Sequence, residues 1–277
     1  MGNLSASEQL TYSTVRIECE YNDGTRGTGT GFFFQFLKDE VSDRYIPVVI
    51  TNKHVINGAT KGRLIFTKAN ANNEPIDTQH FQVYIDNFES FWRKHPATDV
   101  DLCAMPIAPF LTEASNRGEK LFYISLDKSL IPSDQQLSDF SALEEILMVG
   151  YPNGIWDHVN NKPILRKGIT ATHPNFDYCG KKEIMIDAAC FPGSSGSPVF
   201  VFNEGGYRDK RGNTFMGGSR IILLGILYAG PQHTAQGEIQ IIDVPTSERP
   251  IAISRIPNNL GLIIKSERIF ELENLFR

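Results

Sequence analysis

Apolar residues in this chain arrive in short bursts. Runs rich in Val, Ile, Phe and Tyr last a handful of residues before Gly, Asn, Asp or Pro cuts them. That texture predicts many strands rather than long helices, because β-branched and aromatic residues fit a pleated surface and the interrupting residues supply turns. The longest run, 221–230, is well short of the roughly 18 residues that cross a bilayer and reads as a buried strand. Strands are expected at 14–21, 29–37, 45–51, 63–67, 81–86 and 101–106, and in a second set at 145–151, 162–172, 183–187, 198–202, 221–228 and 260–265.

The fold class expected is therefore all-β. With 277 residues and roughly 150 per domain, two halves of similar kind are the natural division. Residues 108–118 carry Pro, Ser, Asn, Arg and Gly with little apolar periodicity, so the boundary is placed near 118, giving units 1–118 and 119–277. One helical pattern stands out at the end of the chain. Ser266 is positioned to cap a segment in which Ile269, Leu272, Leu275 and Phe276 return at helical spacing and would pack on the second half.

Charge narrows the partners. Against 32 acidic residues stand 27 Lys and Arg, a net charge of −5, with no basic block of the kind that nucleic acids or anionic membranes require. A protein or small-molecule partner is expected instead. The first twenty residues lack both a basic and an apolar signal region. Cys19, Cys103, Cys179 and Cys190 lie far apart without metal-ligand spacing, so free thiols in a reducing cytoplasm and no metal are expected.

Three strings carry chemistry. Phe191-Pro192-Gly193-Ser194-Ser195-Gly196-Ser197-Pro198 is a serine turn flanked by glycines that runs into an apolar strand. A nucleophilic serine needs an exposed Oγ, a nearby base and backbone N–H groups aimed at the developing oxyanion; an ordinary Gly/Ser loop is the bland alternative. The base is His54, just past the apolar run 48–51. His80, His95, His158, His173 and His233 sit in polar contexts and are expected at the surface. Asp101, leading into Leu102-Cys103-Ala104-Met105, is the better orienter of His54, with Asp99 competing; a turn cap is the bland reading of either.

The order His54, Asp101, Ser195 matches the chymotrypsin arrangement rather than those of subtilisin or the α/β-hydrolases. On these residues the chain resembles the chymotrypsin-like serine peptidases, and in particular the HtrA/DegP group. Thr51-Asn52-Lys53-His54-Val55 resembles that group's histidine motif, Asp101-Leu102-Cys103-Ala104-Met105 its acid motif, and Gly193-Ser194-Ser195-Gly196-Ser197-Pro198 its serine motif. Thr28-Gly29-Thr30-Gly31-Phe32-Phe33 resembles the first-barrel hairpin and Met148-Val149-Gly150-Tyr151-Pro152 the strand opening the second barrel. Leu224-Gly225-Ile226-Leu227-Tyr228-Ala229-Gly230 resembles the substrate-pairing strand, and Asn259-Leu260-Gly261-Leu262 the approach to a final helix. The resemblance covers nearly the whole chain from about residue 14, although only the triad strings are individually specific.

The resemblance implies two six-stranded antiparallel β-barrels with a C-terminal α-helix and the active site between them. It implies that Ser195 attacks a peptide carbonyl, that His54 takes and returns the proton, and that Asp101 orients His54. The N–H groups of Gly193 and Ser195 would form an oxyanion hole worth about 3 kcal/mol per donor, with no cofactor. Ala189, Cys190, Tyr228, Gly230 and Gly261 would line a specificity pocket. None is charged, so small or medium apolar P1 residues are expected, whereas cleavage after Lys or Arg would implicate Glu238 or Asp243 from the long 231–250 segment, which would rim the cleft.

Two departures from the resemblance bear on control. Ser194 stands where trypsin has an aspartate, and no IVGG-like start is present. The expectation is a Pro192-Gly193 peptide with an inactive orientation that an activating protein partner or the substrate corrects. No PDZ domain is expected after the final helix. The competing functions are a catalytically silent binding module on the same fold and an esterase.

Overall fold

Strand alternation sorts the side chains into cores. The computed structural model describes residues 4–230, 232–235, 254–257 and 259–277. In the first half the strands are β1 (Thr14–Tyr21), β2 (Arg26–Phe36), β3 (Ile46–Thr51), β4 (Ala59–Ala69), β5 (Pro75–Asp86), β6 (Arg93–Lys94), β7 (Cys103–Pro106) and β8 (Leu121–Phe122). Phe32, Phe34 and Phe36 of β2 point into a core shared by both halves, where they meet Leu147, Val149 and Phe200. Phe33, one step out of phase, enters the first half's own core with Ile17, Leu64 and Phe66, as a period of two requires.

The second half closes. Its strands β9 (Glu145–Gly150), β10 (Ile164–Thr170), β11 (Glu183–Asp187), β12 (Pro198–Asn203), the hairpin β13 (Gly206–Arg208) and β14 (Thr214–Met216), β15 (Arg220–Ala229), the pair β16 (Gln232–Ala235) and β17 (Ser254–Pro257), and β18 (Leu260–Lys265) come in that order. Six of them form a closed barrel in the order β10, β11, β18, β15, β12, β9, filled by Met148, Ile184, Val199, Leu224 and Ile263 among others.

The first half differs from the expected six-stranded barrel. Among the described residues it is an eight-stranded sheet in the order β5, β4, β1, β2, β3, β7, β6, with β8 added beside β4, and no backbone pairing joins β5 to β6. Between those two strands a short 3-10 turn, Phe88–Phe91, brings in Phe88, which packs edge to face with the following Trp92, ring centroids 5.6 Å apart, both buried.

Helices were under-read. Residues 108–116 form a helix, Ala108–Asn116, stapled by Thr112 Oγ1 donating to the Ala108 carbonyl at 3.1 Å, where the composition had suggested a linker. The chain then continues in the first sheet, since Leu121 and Phe122 pair with Lys68 and Thr67. The final helix, Arg268–Glu273, is present, but Ser266 does not cap it: the N-cap is Glu267, without a side-chain bond, and the Ser266 hydroxyl is buried unpaired. Ile269, Leu272 and Phe276 are buried as expected, yet in the core shared by both halves. Phe276 meets Phe36 of β2 edge to face at 5.1 Å, and the Leu37 N–H donates to Glu273 at 2.5 Å. This helix ties the halves together. No helix among the described residues is long and apolar enough to cross a membrane.

Candidate active site

Antiparallel pairing makes the first meeting inevitable. Thr51, the last residue of β3, lies opposite Cys103, the first of β7, so the residues just after β3 must lie beside those just before β7. After β3 comes a single turn of helix, Lys53–Ile56, carrying His54; before β7 comes Asp101. Asp101 Oδ1 accepts the His54 backbone N–H at 3.0 Å and Oδ2 lies 2.5 Å from His54 Nδ1. Asn52, completely buried, donates from Nδ2 to the Asp101 carbonyl at 2.7 Å, while Lys53 Nζ donates to the Ala97 carbonyl at 2.8 Å. The loop before β7 is thus fastened at both ends. With Nδ1 engaged, Nε2 has no partner among the described residues, and the His54 side chain is 47% exposed against 22% for Asp101. Asp99 is exposed, and the acid that bonds His54 is Asp101.

The serine turn docks on the same strands. Its backbone is zipped to β15, with Gly196 N donating to the Leu227 carbonyl at 2.8 Å and Leu227 N to Ser197 at 3.0 Å. Thr30 of β2 reaches across from the first half: its N–H donates to the Ser195 carbonyl at 2.9 Å and its Oγ1 to the Gly193 carbonyl at 3.0 Å. Thr51 Oγ1 in turn donates to the Thr30 carbonyl at 2.7 Å, so two hydrogen bonds connect the histidine strand to the serine turn. Gly193 and Gly196 have φ of +82° and +85°, and a Cβ on Gly196 would come within 1.9 Å of the Thr30 carbonyl oxygen. Only glycine permits this approach. The Pro192 carbonyl accepts from Asn153 N at 2.5 Å. Among the described residues, neither Gly193 N–H nor Ser195 N–H finds an acceptor.

The sequence over residues 29–206, which hold all three strings, matches the model of the trypsin-like peptidase domain. This chain belongs to that family. A search of curated proteins finds no match. Solved structures similar to it include the HtrA-type protease AlgW with a tripeptide, at 14% identity, a TM-score of 0.47, and coverage of 97% of this chain and 61% of that one. A serine endoprotease from Yersinia pestis matches at 14% identity and TM-score 0.46, covering 96% and 62%. A protease from M. tuberculosis in its active form matches at 15% and 0.45, covering 94% and 78%. The chain thus spans about three-fifths of the length of the first two.

The expected pocket residues separate into two groups. Cys190, Gly230 and Gly261 come together: a Cβ on Gly261 would lie 2.5 Å from Cys190 Sγ, and one on Gly230 would lie 3.9 Å from Cys190 Cβ. Burial pushes the Cys190 thiol up to about 11, so it is neutral near pH 7. Ala189 is partly buried beside them. Tyr228 departs from that group, its side chain packing against the shared core. Its phenol is pushed up first by burial and then by the Glu183 and Asp101 carboxylates. Glu238 and Asp243 lie outside the described residues.

Sequence reading missed several residues that shape the site. His95, expected at the surface, is buried, accepting the Ala97 N–H at 3.1 Å on Nδ1 and facing Glu271 at 3.3 Å with Nε2. Thr30 was seen only as part of a glycine-rich hairpin, and Asn153 not at all. Arg166 of β10 passed as one more strand residue. Its one signal was register, for it occupies the half-buried phase of β10 while Leu165 and Lys167 face solvent.

Proposed function

We propose that this trypsin-like peptidase is a serine endopeptidase working through a His54, Asp101 and Ser195 triad and an acyl-enzyme. The observation that carries the reading is the double contact of Asp101 with His54. A carboxylate bound to the backbone N–H and to Nδ1 fixes the ring and its tautomer, leaving Nε2 as the base for a hydroxyl, and stabilises the imidazolium once the proton has moved. The serine turn supports the rest. Ser195 is held to Thr30, one hydrogen bond from Thr51, and the unsatisfied N–H groups of Gly193 and Ser195 are the donors an oxyanion hole requires.

In the reaction, Ser195 Oγ bonds to the scissile carbonyl carbon as its proton passes to His54 Nε2. The tetrahedral oxygen receives the two N–H groups. His54 then protonates the leaving amine, and water repeats the sequence on the acyl-enzyme.

Specificity for small or medium apolar P1 residues is assigned to a pocket formed by Cys190, Gly230, Gly261 and Ala189 without an acid among them. We place the protein in a reducing compartment such as the cytoplasm, where its four free cysteines would persist, performing limited regulatory cleavage. Control is assigned to the Pro192-Gly193 peptide, which an activating partner would reach through the segment around Asn153. Full, titratable activity in the isolated protein would argue against that control.

The test is labelling by a fluorophosphonate, lost in Ser195→Ala, and then proteome-wide cleavage-site profiling with the same variant as control. Wild-type protein that neither labels nor cleaves would reduce the chain to a binding module. Ester turnover without peptide cleavage would make it an esterase, and a preference for Lys or Arg at P1 would overturn the pocket assignment.

A further inference from the structure

A cation lies beneath the serine turn. Arg166 pairs across β9 with Met148, a residue of the barrel interior, so its side chain enters the same end of the barrel. There a single nitrogen, Nη1, donates to the Ala189 carbonyl and to Ser194 Oγ, each at 2.7 Å. Ser194 is completely buried, and the turn closes on it: Ser194 N donates to the Phe191 carbonyl at 3.0 Å, while the Phe191 N–H approaches Ser194 Oγ at 3.4 Å. One guanidinium nitrogen therefore pins both ends of the stretch from Ala189 to Ser194.

No carboxylate faces this cation among the described residues. Burial lowers it to about 10, with Cys190 the only titratable neighbour acting in the opposite direction. Nε and Nη2 are buried without hydrogen-bond partners. A buried ion normally carries a counter-ion, because desolvation is otherwise uncompensated. Both free nitrogens are shielded from solvent. What it does touch is the turn whose two N–H groups remain unsatisfied.

We propose that Arg166 is a positioning residue for the oxyanion-binding turn, its guanidinium tying Ala189 to Ser194 so that the Gly193 and Ser195 N–H groups keep their aim. This rests on the serine-endopeptidase reading above and deepens it. A hydroxyl at position 194 suits the arrangement, because it accepts from the cation without bringing a charge of its own into the barrel.

The experiment compares Arg166→Met, Arg166→Lys and wild type using a cleaved peptide substrate and a peptide boronate, whose tetrahedral adduct places oxygen where the oxyanion forms. Losing one oxyanion donor costs about 100-fold or more in kcat, so Arg166→Met is expected to lose about that much with KM within about threefold. Boronate affinity should fall by a similar factor, and Arg166→Lys should recover about tenfold. Folded Arg166→Met with kcat and boronate affinity both within about threefold of wild type would overturn the proposal, as would a loss confined to KM and thermal stability. If Arg166→Met does not fold, Ser194→Ala deletes only the accepting hydroxyl and is expected to lose about tenfold in the same two readouts; no loss there overturns the proposal. Fluorophosphonate labelling separates the failures. An unlabelled wild type sinks the endopeptidase reading, whereas a labelled wild type and equally labelled variants sink only the role of Arg166.

Discussion

Replacing Asp101 by asparagine changes one atom and should remove most of the activity. The carboxylate now receives two donors from one residue, the His54 N–H at 3.0 Å and Nδ1 at 2.5 Å. An amide offers one oxygen and one NH2, so in either orientation one of those donors must face an NH2. If the oxygen stays with the backbone N–H, the ring accommodates the NH2 by accepting at Nδ1, and its proton moves to Nε2. The base is then protonated at the atom that should take the serine proton. Such a tautomer error costs about 10⁴ in kcat, equivalent to about 5.4 kcal/mol at 1.36 kcal/mol per decade. Because asparagine fills the same space, KM should stay within about threefold and the melting temperature should hardly move. The assay is steady-state hydrolysis of a peptide found by cleavage profiling, with the rate of fluorophosphonate labelling as a second readout. Asp99→Asn serves as control, since Asp99 is exposed and the acid bonded to His54 is Asp101; it should retain activity within about twofold. A folded Asp101→Asn enzyme that loses less than about tenfold would refute the assignment of Asp101 as the orienting acid.

Three further perturbations test the supports around the site. Thr30→Val keeps the backbone bond to Ser195 but removes the hydroxyl that donates to Gly193 and accepts from Tyr151 N at 3.1 Å. It should cost about 1–3 kcal/mol in stability for the orphaned amide, read by urea denaturation, and lower kcat, with Thr30→Ser restoring both. Gly196→Ala places a Cβ against the Thr30 carbonyl at φ +85° and should destabilise by about 3 kcal/mol or more, with labelling of Ser195 lost. His95, with Glu271 and Arg268 of the final helix and Lys53 around it, has its pKa lowered chiefly by burial. A lowered histidine leaves the unfolded chain binding more protons. Stability is therefore full above about pH 6.5 and lost as the pH falls from there towards the folded value. Melting temperatures between about pH 8 and pH 5 should show this slope in wild type and a flatter one in His95→Gln.

How far a sequence declares such a site depends on whether the determinant is local. The ends of β1, β11 and β18 could be read because alternation and turn residues act over a few positions. The serine turn was legible for the same reason: two glycines at positive φ are a local demand, and they flank the residue that must be presented. His54 and Asp101 were harder, since each has an ordinary structural explanation, and only the pairing of β3 with β7 brings them within hydrogen-bonding distance. The misses share a different cause. His95 and the packing partners of the final helix were misjudged, and Phe88 and Trp92 went unread, because their surroundings come from elements distant in sequence, and a polar neighbourhood along the chain said nothing about burial in space. Arg166 is the sharpest instance. In the string Ile164-Leu165-Arg166-Lys167 nothing local says that leucine faces water while arginine enters the barrel; that inversion is set by the register of β10 against β9. A one-residue slip would expose Arg166 and Ile164 and bury Leu165 together with Lys167, exchanging one buried cation for another. Either register therefore buries a cation, and a buried cation requires a compensating contact. The contacts Arg166 makes are with Ala189 and Ser194, which is why the inward arginine belongs to the chemistry of the serine turn as well as to the barrel.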